Sequence, residues 1–459
     1  MRKKALLALL MALTLILSSC SLIVKDEVKD NASEIIRLGD QVITKAQVKN
    51  EIQNELDSQA YINSMYGRAF DPTDPANIAA AQSSAIESLK DDLVLTAKAK
   101  ELGFDQLTDE ETENAKTKAE ENWNSAISYI QSSLTDAEKE GKDEAALKTL
   151  AEEKLTQMGI SLESYIESQK KQLTEDKLRE SVIKDVAVTD EEIQADFDSK
   201  VEADKATYGE NAASYAQAVN NGTTVYYAPA GVRRVKQILT KFKDEDQTAI
   251  DDAKKQVTDA NTAVSAAQAK VDTASETLGT DGITEDVKAQ AEADLAAAQK
   301  ELEEASTKLA DANKAVEDAT NKAFENIDAD ADAILASLDA GEDWNKLMDE
   351  KNQDPGMKNN EKGYAVATGM TNFDAAFVDA AMALEKIGDH SGKVKGTSYG
   401  YYIVRYDADE PEGAIALDEV KEKISSSLLS TKQTNTYNDQ IDKWVEESGI
   451  KVDLNALND

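Results

Sequence analysis

The stretch that decides the fold lies near the C-terminus, from Asp354 to Arg405. It reads DPGMKNNEKGYAVATGMTNFDAAFVDAAMALEKIGDHSGKVKGTSYGYYIVR. Its landmarks are an aspartate, an apolar helical segment, a glycine turn and a closing strand: Asp354, Phe377, Ala380, Leu384, Gly388, Ser391, Val394, Thr397, Gly400, Tyr401, Ile403 and Val404. This order of aspartate, helix, turn and strand predicts a segment of mixed α and β structure.

The landmarks resemble the second half of a parvulin domain, the small α+β prolyl isomerase module. The first half of the module is found upstream. Residues 232–239, VRRVKQIL, resemble the first strand of the family, and residues 330–354 resemble its first helix and catalytic turn. Trp344 stands where the family usually has Phe, and Asn352-Gln353-Asp354 stands where it has S-x-D.

The resemblance implies an apolar pocket for a proline ring beside a polar cluster of two histidines and a Cys or Asp. In this chain both histidine positions are changed, because Gln237 and Tyr402 occupy them, while Asp354 is kept. Gln and Tyr can form hydrogen bonds, but neither titrates near neutral pH as His does. The residues that the resemblance implies for catalysis are therefore Gln237, Asp354 and Tyr402.

The residues that the resemblance implies for substrate binding are Phe373, Phe377 and Thr397. The alternative for the two phenylalanines is simple core packing within a helix. The Gly-rich turn of the family is replaced by residues 361–365, EKGYA, which changes the rim of the pocket. His390, the only histidine of the sequence, is expected to be a solvent-facing turn residue rather than a displaced catalyst. No cofactor and no metal are expected.

The composition limits the classes of partner. The chain has 459 residues, enough for two or three domains, and its 51 Lys and Arg against 89 Asp and Glu give a net charge of −38. Nucleic acid is excluded as a partner, since phosphate binding needs clustered positive charge. The acidity serves solubility or, alternatively, a preference for basic client proteins.

The N-terminus predicts export and lipid attachment. Basic residues at positions 2–4 precede an apolar run at 5–17 that is too short for a typical membrane span. The run ends in Leu17-Ser18-Ser19-Cys20, which resembles a bacterial lipobox and contains the only cysteine of the chain. We therefore expect a signal peptide at 1–19 and lipidation at Cys20, with an ordinary secretory signal as the alternative.

The region between the N-terminus and the first strand of the module resembles the chaperone domain of PrsA- and SurA-type foldases. The resemblance rests on an opening strand at 35–44 and on the motifs AKELGF, GISLESY and VAVTDEEI. It implies a tether at 20–33, a helical chaperone domain at 34–230, the parvulin-like domain at 231–410, and a helix and tail at 411–459 that complete the chaperone domain. Residues 112–146 are expected to form a polar, solvated helical extension.

A periodic insertion interrupts the parvulin-like domain at about residues 245–326. Apolar residues recur every seven positions from Ile250 to Leu278, with a parallel row of alanines from Ala253 to Ala274. After a turn at 279–282, two such rows continue from Ala291 to Ala319. Heptad rows of small residues on both sides of a turn predict an antiparallel coiled-coil hairpin. It is either a spacer or an arm that grips a client or partner.

The expected fold class is therefore α+β and predominantly helical, with two functional hypotheses. One is a foldase with peptidyl-prolyl isomerase activity, lipid-anchored at the extracytoplasmic face of the bacterial membrane and acting on unfolded or partly folded exported proteins. The other is a non-catalytic holdase that keeps the parvulin-like domain as a scaffold. A solute-binding lipoprotein is disfavoured, because strands and helices do not alternate as that fold requires. The oligomeric state stays open, with a homodimer as one alternative.

Overall fold

The computed structural model describes residues 27–358 and 360–458, so the predicted signal peptide and Cys20 lie outside the described residues. The described chain forms two units. Unit 1 contains the residues up to Val188 and those from Ser427 onward, and unit 2 is Thr189–Ser426. The predicted domain boundaries at 230 and 411 stay a prediction.

Helices dominate both units. In chain order they are α1 Glu27–Asn31, α2 Lys45–Met65, α3 Pro75–Glu101, α4 Asp109–Ser133, α5 Asp136–Lys139, α6 Glu144–Gln157, α7 Leu162–Ile183, α8 Asp190–Tyr208, α9 Ala212–Asn220, α10 Asp244–Leu278, α11 Glu285–Asp339, α12 Trp344–Lys351, α13 Ala375–Ala383, α14 Leu417–Ser448 and α15 Leu454–Asn458. No described helix is both long and apolar enough to cross a lipid bilayer.

The strands are short and pair in antiparallel fashion. They are β1 Glu34–Leu38, β2 Gln41–Thr44, β3 Tyr227–Ala228, β4 Arg233–Lys241, β5 Tyr364–Val366, β6 Val394–Lys395, β7 Gly400–Asp409, β8 Gly413–Ala414 and β9 Lys451–Val452. They form sheets in the orders β2-β1-β9, β3-β8 and β5-β4-β7-β6. The predicted fold class, predominantly helical α+β, is confirmed.

Capping residues fix where several helices begin. Thr44, Thr108 and Thr189 each accept a hydrogen bond from the backbone amide at the third helical position, and the side chain at that position accepts one from the backbone amide of the cap residue. These reciprocal capping boxes satisfy backbone groups that a helix end leaves free.

Unit 1 has a small core where its sheet meets two helices. Ile35, Ile36, Val48 and Leu93 are buried together there. Strand β9 pairs with β1 through Ile36 and Val452, so the C-terminal tail adds an edge strand to this sheet. The extension predicted for 112–146 is helical, but it is not solvated along its whole length. Caps at Thr135 and Asp143 divide it, and its first helix, α4, buries Ala115, Ala119 and Ile127.

In unit 2, α10 and α11 form an antiparallel hairpin along the predicted alanine rows. The alanines buried between the helices include Ala253, Ala267, Ala274, Ala291, Ala298, Ala305 and Ala312. Small side chains let two helices approach closely, and here the larger heptad residues are half-buried except Ile250, which is buried at the base of the hairpin. Coiled-coil geometry in the strict sense stays a prediction. Helix α11 has 55 residues and runs without a break into the segment that resembles the first parvulin helix.

The four-stranded sheet of unit 2 carries a hydrophobic cluster on each face. Strands expose alternate residues to opposite faces, so neighbours such as Tyr401 and Tyr402 belong to different clusters. Tyr401 packs with Phe242 and Phe324 at the base of the hairpin. Tyr402 packs with Phe377 and with residues of α9, β5 and α13. The second face contains the candidate site.

Candidate functional site

A cavity of about 380 Å³ opens on the α13 face of the sheet. Gln237 and Leu239 of β4 and Tyr402 of β7 contribute to it, with Leu239 directly opposite Tyr402 in the strand register. The full lining is Gln237, Leu239, Lys241, Asp354, Pro355, Tyr364, Asn372, Phe373, Asp374, Phe377, Tyr399 and Tyr402. Five of the six residues implied for catalysis or substrate binding therefore meet in one cavity.

The segment that carries Asp354 is tied to β4 by hydrogen bonds. The backbone amide of Gln353 donates to the carbonyl of Leu239 at 3.0 Å. The Oδ1 atom of Asn352 accepts from the amide of Leu239 at 2.9 Å and from that of Asp354 at 3.0 Å. Since both ends of these bonds are backbone or short side chains, they fix Asp354 beside Gln237 although 117 residues separate the two in sequence.

Three donors converge on the carboxylate of Asp354. Gln237 Nε2 donates to Oδ2 at 2.6 Å, the Tyr364 hydroxyl donates to Oδ2 at 2.9 Å, and the amide of Gly356 donates to Oδ1 at 2.8 Å. Hydrogen bonds to a charged acceptor are stronger than neutral ones. The carboxylate is therefore held in one orientation at the edge of the cavity.

Gln237 retains one unused acceptor. Its Oε1 atom is buried and has no hydrogen-bond partner among the described residues. The assigned orientation of the amide is the favourable one, because the opposite orientation would place oxygen against the Asp354 carboxylate. A buried acceptor without a donor costs about 1–3 kcal/mol. A ligand that brings an N–H group to this atom would recover that cost.

Tyr402 closes the floor of the cavity. Its side chain is buried, and burial raises the pKa of its hydroxyl above the ordinary value, with the charges of Asp374 and Asp354 adding to the effect. The hydroxyl is therefore neutral at physiological pH. A Cβ atom at Gly396 would lie 2.4 Å from the ring, so this position has to remain glycine for Tyr402 to keep its place.

Aromatic rings form the apolar wall. Phe373 and Phe377 lie 5.4 Å apart between centroids, Phe377 and Tyr402 lie 5.5 Å apart, and Tyr364 stacks 5.0 Å from Phe373. Phe377 is buried and Phe373 is half-buried. The two rings pack together and line the cavity, Phe377 from α13 and Phe373 from the segment before it, and a role in substrate binding stays a prediction.

Thr397 lies beside the cavity rather than in its lining. Its hydroxyl donates to Asp374 Oδ2 at 2.9 Å and its amide donates to the same oxygen at 2.5 Å. The other oxygen of Asp374 caps α13 by accepting from the amide of Ala376. Thr397 therefore braces the start of the helix that carries Phe377.

The sequence did not single out Tyr364, Asp374 or Tyr399 as site residues. Tyr364 belongs to the EKGYA segment that replaces the family's glycine-rich turn, and an aromatic residue at an altered rim was the available signal. His390 lies outside the cavity and is half-buried rather than solvent-facing, because its ring lies 6.5 Å from that of Trp344. Among the described residues, no group of three or more His, Cys, Asp or Glu side chains is arranged to hold a metal ion.

The arrangement can bind a compact apolar ring and present polar groups to an adjacent amide. Rotation about a peptide bond has a barrier of about 18–20 kcal/mol, which arises from conjugation between nitrogen and carbonyl. A site lowers this barrier by binding the twisted amide better than the planar one. The cavity offers aromatic walls that can hold the ring. It also offers two polar groups that can face the amide, the carboxylate of Asp354 and the unused Oε1 of Gln237.

Comparison with known proteins places relatives over part of the chain. No protein-family model matches. A foldase protein PrsA from Clostridium botulinum is 34% identical over 126 residues, which cover 27% of this chain and 36% of the relative. A foldase protein PrsA from Geobacillus kaustophilus is 33% identical over 130 residues, which cover 28% and 44%. The chain thus matches less than half the length of these relatives, and its resemblance to PrsA-type foldases is confirmed.

Solved structures were also compared. The foldase protein PrsA from Streptococcus pneumoniae aligns with a TM-score of 0.25 and 17% identity, covering 93% of this chain and 97% of that chain. The peptidylprolyl isomerase PrsA from Bacillus cereus aligns with a TM-score of 0.18 and 16% identity, covering 93% and 96%.

Proposed function

We propose that this protein is an extracytoplasmic folding factor that binds unfolded exported proteins and isomerises X-Pro bonds in its parvulin-like cavity. The observation that carries the proposal is the cavity itself, where Asp354 and Gln237 lie against the aromatic wall of Phe373, Phe377 and Tyr402. Similarity to PrsA foldases supports it.

In the proposed reaction, the proline ring enters the aromatic wall and the amide before it lies near Gln237 and Asp354. Twisting removes conjugation and leaves a basic lone pair on the proline nitrogen. The neutral hydroxyl of Tyr402 has no hydrogen-bond partner among the described residues and is the donor placed to stabilise that lone pair. No bond is made or broken to a protein atom, so catalysis consists of binding the twisted state.

A non-catalytic holdase is the second candidate. The observation that favours it is the replacement of both family histidines by Gln237 and Tyr402, together with an Asp354 carboxylate already satisfied by three donors. In that case the cavity binds proline-containing segments without accelerating their rotation.

We assign client binding to an exposed apolar surface of unit 1, near the end of α2. Tyr61, Met65 and Tyr66 are 66%, 68% and 72% exposed, and Ile62 lies beside them. Contiguous exposed apolar side chains mark interaction sites in soluble proteins. Attachment of the mature chain to the membrane through a lipid on Cys20, and a place at the extracytoplasmic face, complete the proposal.

A protease-coupled assay on an X-Pro peptide tests the catalytic part with the full mature chain. We expect catalysis above the spontaneous rate, with kcat/KM reduced at least about tenfold in Asp354→Ala and Tyr402→Phe. Tyr401→Phe is the matched control, because this tyrosine is the neighbour of Tyr402 on the opposite face. A wild-type rate equal to the spontaneous rate would contradict the isomerase proposal and would favour the non-catalytic holdase.

Suppression of client aggregation tests the binding part. Replacing Met65 and Tyr66 by Ser should weaken suppression, because it removes apolar contact area. Tyr129→Ser is the control, since Tyr129 is also 72% exposed. Equal suppression by the double variant and the wild type would contradict the assignment of this surface.

A further inference from the structure

We propose that Tyr364 is the positioning residue of this site, holding Asp354 through its hydroxyl and forming one wall of the proline pocket with its ring. The inference rests on the proposed isomerase function and deepens it. Tyr364 stands at the start of β5, on the edge strand next to Gln237, so it reaches the cavity from a different element than the residues implied by the resemblance.

The contacts of the hydroxyl are directional. It donates to Asp354 Oδ2 at 2.9 Å, and Gln237 Nε2 donates to the same oxygen at 2.6 Å. Two donors from the neighbouring strands β4 and β5 thus share one acceptor. Removing the tyrosine hydroxyl would leave the carboxylate with two donors, Gln237 on one oxygen and the Gly356 amide on the other, and therefore less firmly oriented.

The ring has a separate task. Tyr364 packs 5.0 Å from Phe373 and 6.4 Å from Phe377 between centroids, the second pair at an interplanar angle of 87°. Edge-to-face aromatic packing is favourable and well defined in geometry. The ring therefore extends the aromatic wall from α13 to the sheet, and a smaller side chain would widen the pocket.

Tyr364 is a neutral hydrogen-bond donor at physiological pH. Burial raises the pKa of its hydroxyl above the ordinary value, and the negative charge and hydrogen bond of Asp354 raise it further. A neutral phenol donates its proton to the carboxylate oxygen without transferring it.

Two glycines leave the space that Tyr364 needs. A Cβ atom on Gly356 would lie 2.1 Å from the Tyr364 hydroxyl oxygen. Gly363 has φ of +74°, and a Cβ there would lie 2.4 Å from the carbonyl oxygen of Val235 on β4. Glycine at both positions lets the chain before β5 approach the sheet and lets the hydroxyl reach Asp354.

The test compares Tyr364→Phe with Tyr401→Phe in the full mature chain. Both substitutions remove one 2.9 Å hydrogen bond from tyrosine to aspartate in the same sheet, but only the first bond lies in the cavity. For Tyr364→Phe we expect kcat to fall about tenfold while KM stays within about twofold. The aromatic wall of the pocket remains, but the Asp354 carboxylate loses one of its three hydrogen bonds. Tyr364→Leu should raise KM as well.

A second measurement does not depend on catalysis. The Gly356 amide donates to the other oxygen of Asp354, so its NMR shift and hydrogen exchange report on the carboxylate. We expect Tyr364→Phe to shift this amide and speed its exchange, and Gly356→Ala combined with Tyr364→Phe to cost no more activity than either alone.

The outcomes separate the two proposals. If the wild type does not catalyse, the proposed isomerase function is wrong. The NMR shift and hydrogen exchange of the Gly356 amide then test the role of Tyr364 on their own. An amide unchanged in Tyr364→Phe, or a kcat equal to that of Tyr401→Phe, overturns the positioning role while leaving the isomerase intact.

Discussion

The two faces of the four-stranded sheet in unit 2 carry the same residue types, but one face is packed core and the other contains the cavity. On the hairpin face, Phe324 lies 4.8 Å from both Phe242 and Tyr401 between ring centroids. On the cavity face, Phe377 lies 5.4 Å from Phe373 and 5.5 Å from Tyr402. Each face also has a tyrosine that donates to an aspartate. One cluster is closed and the other leaves a cavity.

The difference lies in the helices that cover the sheet. The hairpin face is covered by α11, a helix of 55 residues whose Phe324, Ile327 and Ala331 fill the space above Tyr401. The cavity face is covered by α13, which has 9 residues, and by α9. The side chains of these helices leave part of the space above Tyr402 unfilled. The comparison teaches that the filling of this space by the covering helices, rather than the residue types on the strands, separates core from site here.

The largest effect should come from Phe324→Ala on the closed face. Removing a ring from a filled cluster creates a void, and we expect the free energy of unfolding to fall by about 3–5 kcal/mol in urea denaturation. Phe373→Ala, beside an existing cavity, should cost about 1–2 kcal/mol, because less new void is formed. Equal losses in the two variants would break the distinction between closed and open faces.

A smaller loss of stability is expected from a substitution at Gly400, the first residue of β7. Its φ is +141°, and a Cβ atom would lie 2.0 Å from the carbonyl oxygen of Thr240 on β4. We expect Gly400→Ala to lower the free energy of unfolding by about 2–3 kcal/mol through backbone strain and lost pairing. Gly369→Ala, with φ of +88° and open space around it, should cost about 1 kcal/mol. Thermal unfolding of both variants checks this order.

The ion pairs at the hairpin base should matter less. Lys393 Nζ lies 2.7 Å from Asp328 and 2.5 Å from Asp332. Since these carboxylates are largely exposed, Lys393→Met should cost only about 0.5–1 kcal/mol and less at high salt. Lys255→Met on the hairpin removes a fully exposed pair with Asp259 and serves as the control with almost no effect. A loss above that of Gly400→Ala would show that charge, not packing, fastens the closed face.

The smallest effect near neutrality should come from pH. Burial raises the pKa of the Tyr364 and Tyr402 hydroxyls in the cavity, and both residues are protonated in the folded and unfolded chain below pH about 10. Above that pH the unfolded chain loses these protons first, so stability falls as pH rises. We expect kcat/KM to be flat from about pH 6 to pH 9, because the cavity lining contains no His and burial raises the pKa of Tyr364 and Tyr402. A bell-shaped profile in this range would contradict the assignment.

Periodic and local features were predictable from the sequence. The alanine rows from Ala253 to Ala312 predicted the hairpin, because burial of every seventh residue follows directly from helix geometry. The caps at Thr44, Thr108 and Thr189 were equally local. The meeting of Gln237, Asp354 and Tyr402 was accessible through the family resemblance alone, since contacts across more than 100 residues leave no local pattern.

Other features depended on tertiary packing. The continuity of α11 through the insertion was missed, because a heptad row that ends near Ala319 gives no sign that the helix goes on to Asp339. Tyr364 was noticed only as part of a changed turn, as its bond to Asp354 depends on the absence of a side chain at Gly356. The burial of His390 likewise depends on Trp344 and could not be read from its glycine-containing turn.

The closed base of the hairpin also bears on how this chain folds. Asn326 Nδ2 donates to both oxygens of Asp246 at 2.9 Å, joining residues 80 apart in sequence. Once this local hairpin has formed, the path between Gln237 and Asp354 shortens about threefold, which lowers the entropic cost of closing that loop by about 1 kcal/mol. Formation of the hairpin can therefore help the two halves of the sheet to pair during folding. Although the insertion is long in sequence, the folded hairpin connects the two halves over a short distance.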